Sequence, residues 1–176
     1  DGNFVEQFQS NGFYPRLWEL FLNQLFEEES FENLNDNDRP DFHFSKDDYD
    51  FYLEASCSNS NASDIYTEEI IKDSLKKMDR RVEKKLIDYY TIKIGSVLFS
   101  KLSKKYWELD WVKGKPLVFG VLPSHNSLAR FMPDYKITEY LYGIEYKPAG
   151  IIDNKIQYNK RKLETHSHEN KTIRAN

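Results

Sequence analysis

The sequence has few of the features that mark specialised classes of protein. It contains one cysteine in 176 residues, which excludes an internal disulfide framework and a thiolate metal cluster within the chain. No stretch approaches the roughly 18 apolar residues that a membrane-spanning helix needs. The seven glycines form no phosphate-binding loop of the GxGxxG or GxxxxGK type. We therefore expect no membrane association, and the cysteine content is consistent with a reducing, cytoplasmic compartment.

Aromatic residues, in contrast, are abundant. They make up 15% of the chain, and hydrophobic residues make up 39%. This is too much apolar material for a disordered chain, despite 31% charged residues and a mean hydropathy of -0.75. The length predicts a single α/β domain over residues 1–158. Residues 159–176 are polar, and we expect them to begin an extension that continues beyond this sequence.

Charge is distributed unevenly along the chain. The net charge is only -4, which excludes a uniformly basic nucleic-acid-binding protein. Residues 1–54, however, hold 14 acidic and 3 basic residues, a net charge of -11, whereas residues 72–105 hold 11 basic and 4 acidic residues, a net charge of +7. This pattern fits metal-binding carboxylates beside a surface for polyanions. It equally fits two solvated helical faces of opposite sign.

The hydrophobic periodicity predicts alternating helices and strands. The helical patterns span residues 15–29, 65–106 and 128–142. The strand-like patterns span residues 40–45, 50–56, 117–122 and 154–158. We expect the long helical stretch to break near Asp88–Thr91. This order predicts an α/β or α+β domain built around a mixed sheet.

Two charged residues interrupt apolar patterns. Lys101 falls in the middle of the apolar stripe of the helix near 94–106, and Glu54 lies in a strand-like run that otherwise reads as buried. A buried charge needs a partner, so each position predicts a polar contact inside the fold. The alternatives are that Lys101 extends past the stripe to water and that Glu54 lies on a solvated strand face.

Two further carboxylates belong to the same hypothesis. Asp41 begins the strand-like run before that of Glu54, and the two side chains converge if these strands pair. His43 would lie with Asp41 on one strand face. Glu19, at the edge of the apolar arc of the first long helix, could add a third carboxylate, or it could be a surface acid. Clustered carboxylates repel each other, and a divalent cation is their natural partner.

These parts resemble the PD-(D/E)xK nuclease superfamily, which has the restriction endonuclease-like fold. Its pattern is a helix with a Glu, a strand with an Asp, a strand with Glu-x-Lys, and a further helix. The corresponding residues are Glu19, Pro40-Asp41 and Glu54-Ala55. The resemblance implies a metal-dependent phosphodiesterase that acts on DNA or RNA, and many members of the superfamily are homodimers.

The resemblance also implies roles for the site residues. Asp41, Glu54 and the Ala55 carbonyl would hold Mg²⁺ or Mn²⁺, and Glu19 would reach a second metal or a bridging water. The superfamily's Lys should stand at position 56, where this sequence has Ser56. Some members carry this Lys on the next helix instead.

Lys101 is the best candidate for such a migrated Lys. It would orient the attacking water or stabilise the charge that develops at phosphorus. If no lysine reaches the site, the resemblance implies a catalytically inactive module that binds nucleic acid or a protein partner.

A run of basic residues follows the candidate strands. We expect these side chains to contact the phosphate backbone of a nucleic acid without reading its sequence. They are Lys76, Lys77, Arg80, Arg81, Lys84 and Lys85. The alternative is a solvated face of an amphipathic helix.

The chain is also similar to a bacterial family of uncharacterised function. The shared stretches read RLWELFL, PDF, LEAS, IGSVLFSKLSKKYWEL, GKPLVFGV, YLYG and KLETHSHENK. Members of this family are sometimes labelled "glycosaminoglycan attachment site" proteins. The present chain contains no Ser-Gly dipeptide that would support such a label.

Overall fold

The computed structural model describes residues 4–10, 12–34, 36–60, 66–77, 80–132, 134–168 and 171–174. The helices are α1 (Phe4–Phe8), α2 (Phe13–Glu28), α3 (Glu68–Lys77), α4 (Arg80–Leu102) and α5 (Asp134–Tyr142). The strands are β1 (Glu32–Asn33), β2 (Phe42–Lys46), β3 (Tyr49–Asn59), β4 (Leu117–Ser124), β5 (Ile144–Ile152), β6 (Lys155–Lys162), β7 (Thr165–His168) and β8 (Lys171–Arg174). Short 3₁₀ turns span Tyr106–Glu108 and Ala129–Phe131.

A four-stranded mixed sheet has the strand order β1-β2-β3-β4. The β1–β2 and β2–β3 pairs are antiparallel, and β3 runs parallel to β4. Only Asp47 and Asp48 connect β2 to β3, and so tight a connection requires an antiparallel pair. The connection from β3 to β4 contains two helices, which gives the length that a parallel crossover needs. The predicted α/β class with a mixed sheet is confirmed.

The chain forms two compact units. The first unit, Asp1–Asn61 and Val97–His125, contains the four-stranded sheet, α1 and α2. The second unit, Ala62–Ser96 and Asn126–Asn176, contains α3, α5 and the two-stranded sheets β5–β6 and β7–β8. Helix α4 contributes residues to both units. The single domain expected over residues 1–158 stays a prediction.

The first unit is built on the packing of α2 against one face of the sheet. The buried side chains of this core are Leu22 from α2 and Phe42, Phe44, Leu53 and Ala55 from β2 and β3. The indole Nε1 of Trp18 donates a hydrogen bond to the carbonyl of Gly120 at 3.0 Å. A side chain at Gly120 would meet a methyl group of Leu22 at 3.2 Å, so a glycine at this point of β4 allows α2 to approach closely.

The second unit has a smaller core of its own. Tyr66, Ile71, Leu86 and Tyr89 are buried together. Both carboxylate oxygens of Glu68, in the first turn of α3, accept hydrogen bonds from Ser127, one from its backbone N–H at 2.6 Å and one from its hydroxyl at 2.7 Å.

Two sequence-based expectations differ from the observed elements. The expected helix break at Asp88–Thr91 is wrong, because α4 continues through these residues. The Thr91 hydroxyl donates to the Ile87 carbonyl one turn earlier, which satisfies its polar group inside the helix. Strand β5 was not expected, and the extended run 154–158 is the start of the longer β6, which reaches Lys162.

Candidate functional site

The start of β2 lies beside the middle of β3. Phe42, the first residue of β2, is opposite Leu53. Asp41 therefore precedes the paired segment, and its Oδ2 accepts the backbone N–H of Ala55 at 2.7 Å. The charge of Glu54 raises the pKa of Asp41, so the two carboxylates lie close together, as the strand patterns predict.

Glu54 is almost fully buried and has two donors. Lys101, in the last turn of α4, places its Nζ 2.5 Å from Glu54 Oε1. The hydroxyl of Tyr106 donates to the same oxygen at 2.9 Å. Lys101 thus contacts a carboxylate, as its place in the apolar stripe predicts, and its catalytic role stays a prediction. We call Asp41, Glu54, Lys101 and Tyr106 the Glu54 cluster.

Tyr106 was not identified from the sequence. It lies in the 3₁₀ turn that follows α4, and its side chain is buried. Burial, the hydrogen bond to Glu54 and the charges of Glu54 and Asp41 all raise the pKa of the Tyr106 hydroxyl. The hydroxyl therefore remains a donor at neutral pH. Its only signal in the sequence is its place in the connection that follows Lys101.

The acidity of Asp41 in the Glu54 cluster is altered as well. Burial is the main cause, and the negative charges of Glu54 and Glu19 add to it, so that the pKa of Asp41 rises to about 6. The Ala55 N–H and the charge of Lys101 act in the opposite direction but do not cancel the rise. The pKa of this carboxylate is therefore raised chiefly by desolvation, and its negative neighbours add to the rise.

Glu19 lies close enough to influence the Glu54 cluster but pairs elsewhere. Its carboxylate accepts a hydrogen bond from Arg16, one turn earlier in α2, at 2.5 Å. Its charge raises the pKa of Asp41 and contributes to that of Cys57, which reaches about 11 chiefly through burial. The structure therefore places Glu19 near Asp41 without a direct contact between them among the described hydrogen bonds. Its proposed role toward a metal stays a prediction.

Ser56 stands where the resemblance implies a lysine. It is buried, and its hydroxyl donates to the Ala55 carbonyl at 2.7 Å. A carbonyl oxygen has two lone pairs, so the Ala55 carbonyl retains one acceptor position. The cation that reaches Glu54 comes from α4 instead. In the described ranges, no group of three or more His, Cys, Asp or Glu side chains is arranged to hold a metal ion.

A second group of charged side chains lies farther along the same two strands, and we call Asp36, His43, Asp50 and Lys115 the His43 cluster. The imidazole of His43 is buried and stacked on Tyr52. Its Nδ1 lies 3.0 Å from both oxygens of Asp36, and its Nε2 lies 2.5 Å from Asp50 Oδ1. Lys115 pairs with the other oxygen of Asp50 at 2.9 Å.

The two aspartates of the His43 cluster have lowered pKa values. Burial acts in the opposite direction but is outweighed. For Asp36 the lowering comes from hydrogen bonds to His43 and Asn37 and from the charge of His43. For Asp50 it comes from hydrogen bonds to Lys115 and His43 and from their charges. Sequence reasoning placed His43 on a strand face but did not identify Asp36, Asp50 or Lys115 as its partners.

The basic run belongs to the second unit, on α3 and α4. Lys76, Lys77, Arg81, Lys84 and Lys85 are exposed, and the side chain of Arg80 lies outside the described residues. Lys77 pairs with Asp73 one turn earlier at 2.6 Å. Arg81, Lys84 and Lys85 share one helical face because they are three and four positions apart. Their contact with nucleic acid stays a prediction.

Comparisons with known proteins add no relative. No family model matches the chain, and neither a curated protein nor a solved structure matches it. Among the described residues, no helix is both long enough and apolar enough to cross a membrane. The geometry of the chain itself therefore carries the functional argument.

Proposed function

We propose that the chain is a metal-dependent phosphodiesterase that hydrolyses the backbone of DNA or RNA. One observation carries the proposal. Two neighbouring carboxylates, Asp41 and Glu54, lie where the start of β2 meets the middle of β3, and a lysine from α4, the second helix after β3, contacts one of them. This arrangement supports the resemblance to the PD-(D/E)xK superfamily with a lysine that has moved from position 56 to position 101.

The donor atoms fit a small divalent cation. Asp41 and the Ala55 carbonyl belong to the same side of β3, because a strand residue directs its N–H and C=O to the same neighbouring strand. The described hydrogen bonds use Asp41 Oδ2 and Glu54 Oε1. We assign Asp41 Oδ1, Glu54 Oε2 and the Ala55 carbonyl to the cation. Mg²⁺ commonly binds through one or two carboxylates and keeps several waters, so two carboxylates suffice.

The electrostatics of Asp41 agree with this assignment. Its pKa is raised to about 6 by desolvation and, in second place, by the charge of Glu54, and a bound cation would offset both. When bound, Mg²⁺ or Mn²⁺ lowers the pKa of a coordinated water and offsets the charge that builds at phosphorus. Glu19 pairs with Arg16. We therefore add no metal-binding role for Glu19 to the one that the resemblance implies.

The protein's own donors have separate tasks. Tyr106 donates to Glu54 and stays protonated, so it fixes the orientation of the carboxylate. Lys101 carries the positive charge that can orient a water or stabilise a phosphoryl oxygen in the transition state. Arg39, just before Pro40-Asp41, is exposed, and its charge lowers the pKa of Tyr106. Arg39 therefore lies close enough to the Glu54 cluster to meet a substrate phosphate.

The second candidate function is a catalytically inactive, nuclease-like module that binds nucleic acid or a protein partner. It is favoured by the state of Glu54, since one carboxylate oxygen already accepts both Lys101 and Tyr106. Ser56 in place of a lysine and the lack of a three-ligand metal group in the described ranges favour it as well.

Cleavage assays separate these two functions. Supercoiled plasmid, single-stranded DNA and RNA are incubated with the chain and Mg²⁺ or Mn²⁺, and products are resolved on gels. The variants are Glu54→Gln, Asp41→Asn and Lys101→Met, and the matched control is Lys115→Met, which removes a lysine paired with Asp50 in the same unit. We expect metal-dependent cleavage that falls by about 100-fold or more in the three variants and less than about 3-fold in the control.

Three results would count against the phosphodiesterase. No cleavage by a folded wild-type chain would favour the binding module. Cleavage that survives Glu54→Gln would point to another site. Cleavage without a divalent cation would contradict the metal-dependent mechanism. Circular dichroism of every variant distinguishes loss of activity from loss of fold.

A further inference from the structure

Strands β5 and β6 form a hairpin with two different faces. Asp153 and Asn154 connect the strands, and both have positive φ angles, 51° and 58°. This is the conformation of a type I′ turn, in which Asp and Asn are favoured. Residues opposite each other in the antiparallel register share a face. The register shift between Pro148 and Gly150 brings Ile151 onto the face that also holds Tyr146.

One face combines aromatic, aliphatic and basic side chains, and we call it the hairpin face. It includes Tyr146, Ile151, Ile156, Tyr158, Lys160 and Lys162. Both tyrosines and both isoleucines are more than half exposed. Tyr146 lies opposite Lys160, and Tyr158 lies diagonally across the strands from Tyr146. Diagonal neighbours in such a pair are about 7–8 Å apart, so the two rings are adjacent on the surface.

On the opposite face of the hairpin, Glu145 pairs with two of the three cations, and Lys155 forms no ion pair with a described residue. Glu145 pairs with Arg161 at 3.0 Å and with Lys147 at 3.4 Å. The hairpin face contains no acidic residue, and neither Lys160 nor Lys162 forms an ion pair with any described residue. Two lysines without a described ion pair and four large exposed apolar side chains therefore share the hairpin face, whereas the opposite face has Lys155 and Ile152 alone of these two kinds.

These properties define the chemistry of the occupant. An isolated two-stranded hairpin with an uncovered apolar face is only marginally stable, so a ligand that covers it gains apolar contact. The ligand must also be anionic to match Lys160 and Lys162. A second copy of the chain would bring like charges together. A membrane surface would have to accept the polar Asp153–Asn154 turn at the tip of the hairpin.

We propose that the hairpin face binds single-stranded nucleic acid. Bases stack on Tyr146 and Tyr158, and the phosphates that connect them pair with Lys160 and Lys162. Unpaired bases expose apolar faces, and their backbone supplies one negative charge per nucleotide, so they satisfy both requirements at once. This site needs no metal and none of the Glu54 cluster, and it is therefore independent of the proposed phosphodiesterase activity.

Binding of labelled oligonucleotides tests the inference. Fluorescence anisotropy is measured with the whole chain carrying Glu54→Gln, in EDTA, so that cleavage plays no part. The probes are oligo-dT, oligo-U and a DNA duplex, and the first two distinguish DNA from RNA as the source of the single strand. We expect both single strands to bind more tightly than the duplex.

The variants distinguish stacking from charge. Changing either tyrosine, Tyr146→Ala or Tyr158→Ala, should weaken binding by about 10-fold, whereas Tyr→Phe at the same positions should preserve it. Tyr135→Ala, at a similarly exposed tyrosine in α5, is the control and should have little effect.

Changing both lysines, Lys160→Gln and Lys162→Gln, should reduce the slope of log K against log salt by about 1.4. The matched control is the opposite-face pair, Lys147→Gln and Arg161→Gln.

Specific results would overturn the inference. The first is an equal change of the salt slope in the two double variants, the one at Lys160 and Lys162 and the one at Lys147 and Arg161. The others are undiminished binding in both Tyr→Ala variants and no binding of either single strand. Vesicles of phosphatidylcholine and phosphatidylserine in roughly equal amounts provide a further arm. Vesicle binding without oligonucleotide binding would assign the face to a membrane. Dimerisation that the Tyr→Ala changes abolish would assign it to a second copy.

Discussion

The Glu54 cluster and the His43 cluster lie on the same face of β2 and β3, yet the pKa values of their aspartates shift in opposite directions. His43 is opposite Tyr52, and Glu54 follows two residues later on the same side of β3. In the His43 cluster the aspartate side chains are 46% and 41% exposed, and their pKa values are lowered. In the Glu54 cluster Asp41 lies beside the buried Glu54 carboxylate, and its pKa rises to about 6.

The difference follows from burial and from the balance of charge. Exposed carboxylates keep their hydration and gain hydrogen bonds from His43 and Lys115, so their ionised form is favoured. In the Glu54 cluster, Lys101 contacts Glu54, and its charge also acts on Asp41. Similar residue types thus form an ion-pair network in the His43 cluster. In the Glu54 cluster, the carboxylates outnumber the cation that contacts them. Perturbed acidity of the second kind is characteristic of functional sites.

The largest predicted difference is in the cost of removing a lysine. Lys101→Met leaves the buried Glu54 carboxylate without its cation, whereas Lys115→Met leaves Asp50 exposed to water. We expect Lys101→Met to lower the free energy of unfolding by about 3 kcal/mol. Lys115→Met should lower it by less than about 1 kcal/mol. Urea denaturation at neutral pH measures both, and equal costs would contradict the distinction between the clusters.

The next largest difference is in the direction of the pH dependence. Asp41 holds its proton more tightly in the folded chain than in the unfolded chain, so the unfolded chain loses its proton first as the pH rises from 3.8 toward about 6. The free energy of unfolding of the wild type should therefore fall across this window, relative to Asp41→Asn, by at most about 2 kcal/mol, because solvent screens this partly exposed carboxylate. Above the window it should be level.

The aspartates of the His43 cluster provide the comparison of opposite sign. Their lowered pKa values stabilise the folded chain above the unfolded value of 3.8, and this contribution is lost as the pH falls below it. Because both groups are exposed, screening should keep the effect of Asp36→Asn with Asp50→Asn below about 1 kcal/mol. Denaturation curves across the acidic range test both signs. If the fall between pH 3.8 and about 6 persists in Asp41→Asn, another group titrates there.

The last predicted effect concerns the hydroxyl of Tyr106. Tyr106→Phe removes one of the two donors to Glu54 and leaves the ring in place. We expect a loss of about 1.5 kcal/mol in the free energy of unfolding, because the hydrogen bond goes to a charged group. Tyr140→Phe, at another buried tyrosine, controls for loss of a hydroxyl. Tyr106→Phe with an unchanged stability would show that Lys101 alone satisfies Glu54.

The sequence predicted the elements in which local pattern and environment agree. The apolar arc of α2 and the alternation in β2 and β3 gave helix and strands close to their observed bounds. Helix α4 was expected to break near Thr91, but the Thr91 hydroxyl bonds within the helix and the helix continues. Strand β5 and the end of β6 were missed because these exposed strands have no core-facing alternation that a periodicity argument detects.

The residues of the candidate site divide in the same way. Glu54 and Lys101 could be recognised because a charge inside an apolar pattern requires a partner, whatever that partner is. Tyr106, Asp36, Asp50 and Lys115 could not be recognised, because each lies in a segment where a polar or aromatic residue breaks no pattern. Their roles depend on which residues meet across the fold.

The sequence by itself determined the helix and strand types of the core, the mixed α/β class, and the two positions at which a charge had to find a partner. These properties follow from side-chain periodicity and from the cost of burying a charge, both of which act over a few residues. Only the tertiary structure decided that Lys101 contacts Glu54, 47 residues away. It also decided that Asp41 meets Ala55 and that the aspartates near His43 stay exposed. Such contacts depend on strand register and on how a helix end meets the sheet, and the acidity of each carboxylate follows from that placement.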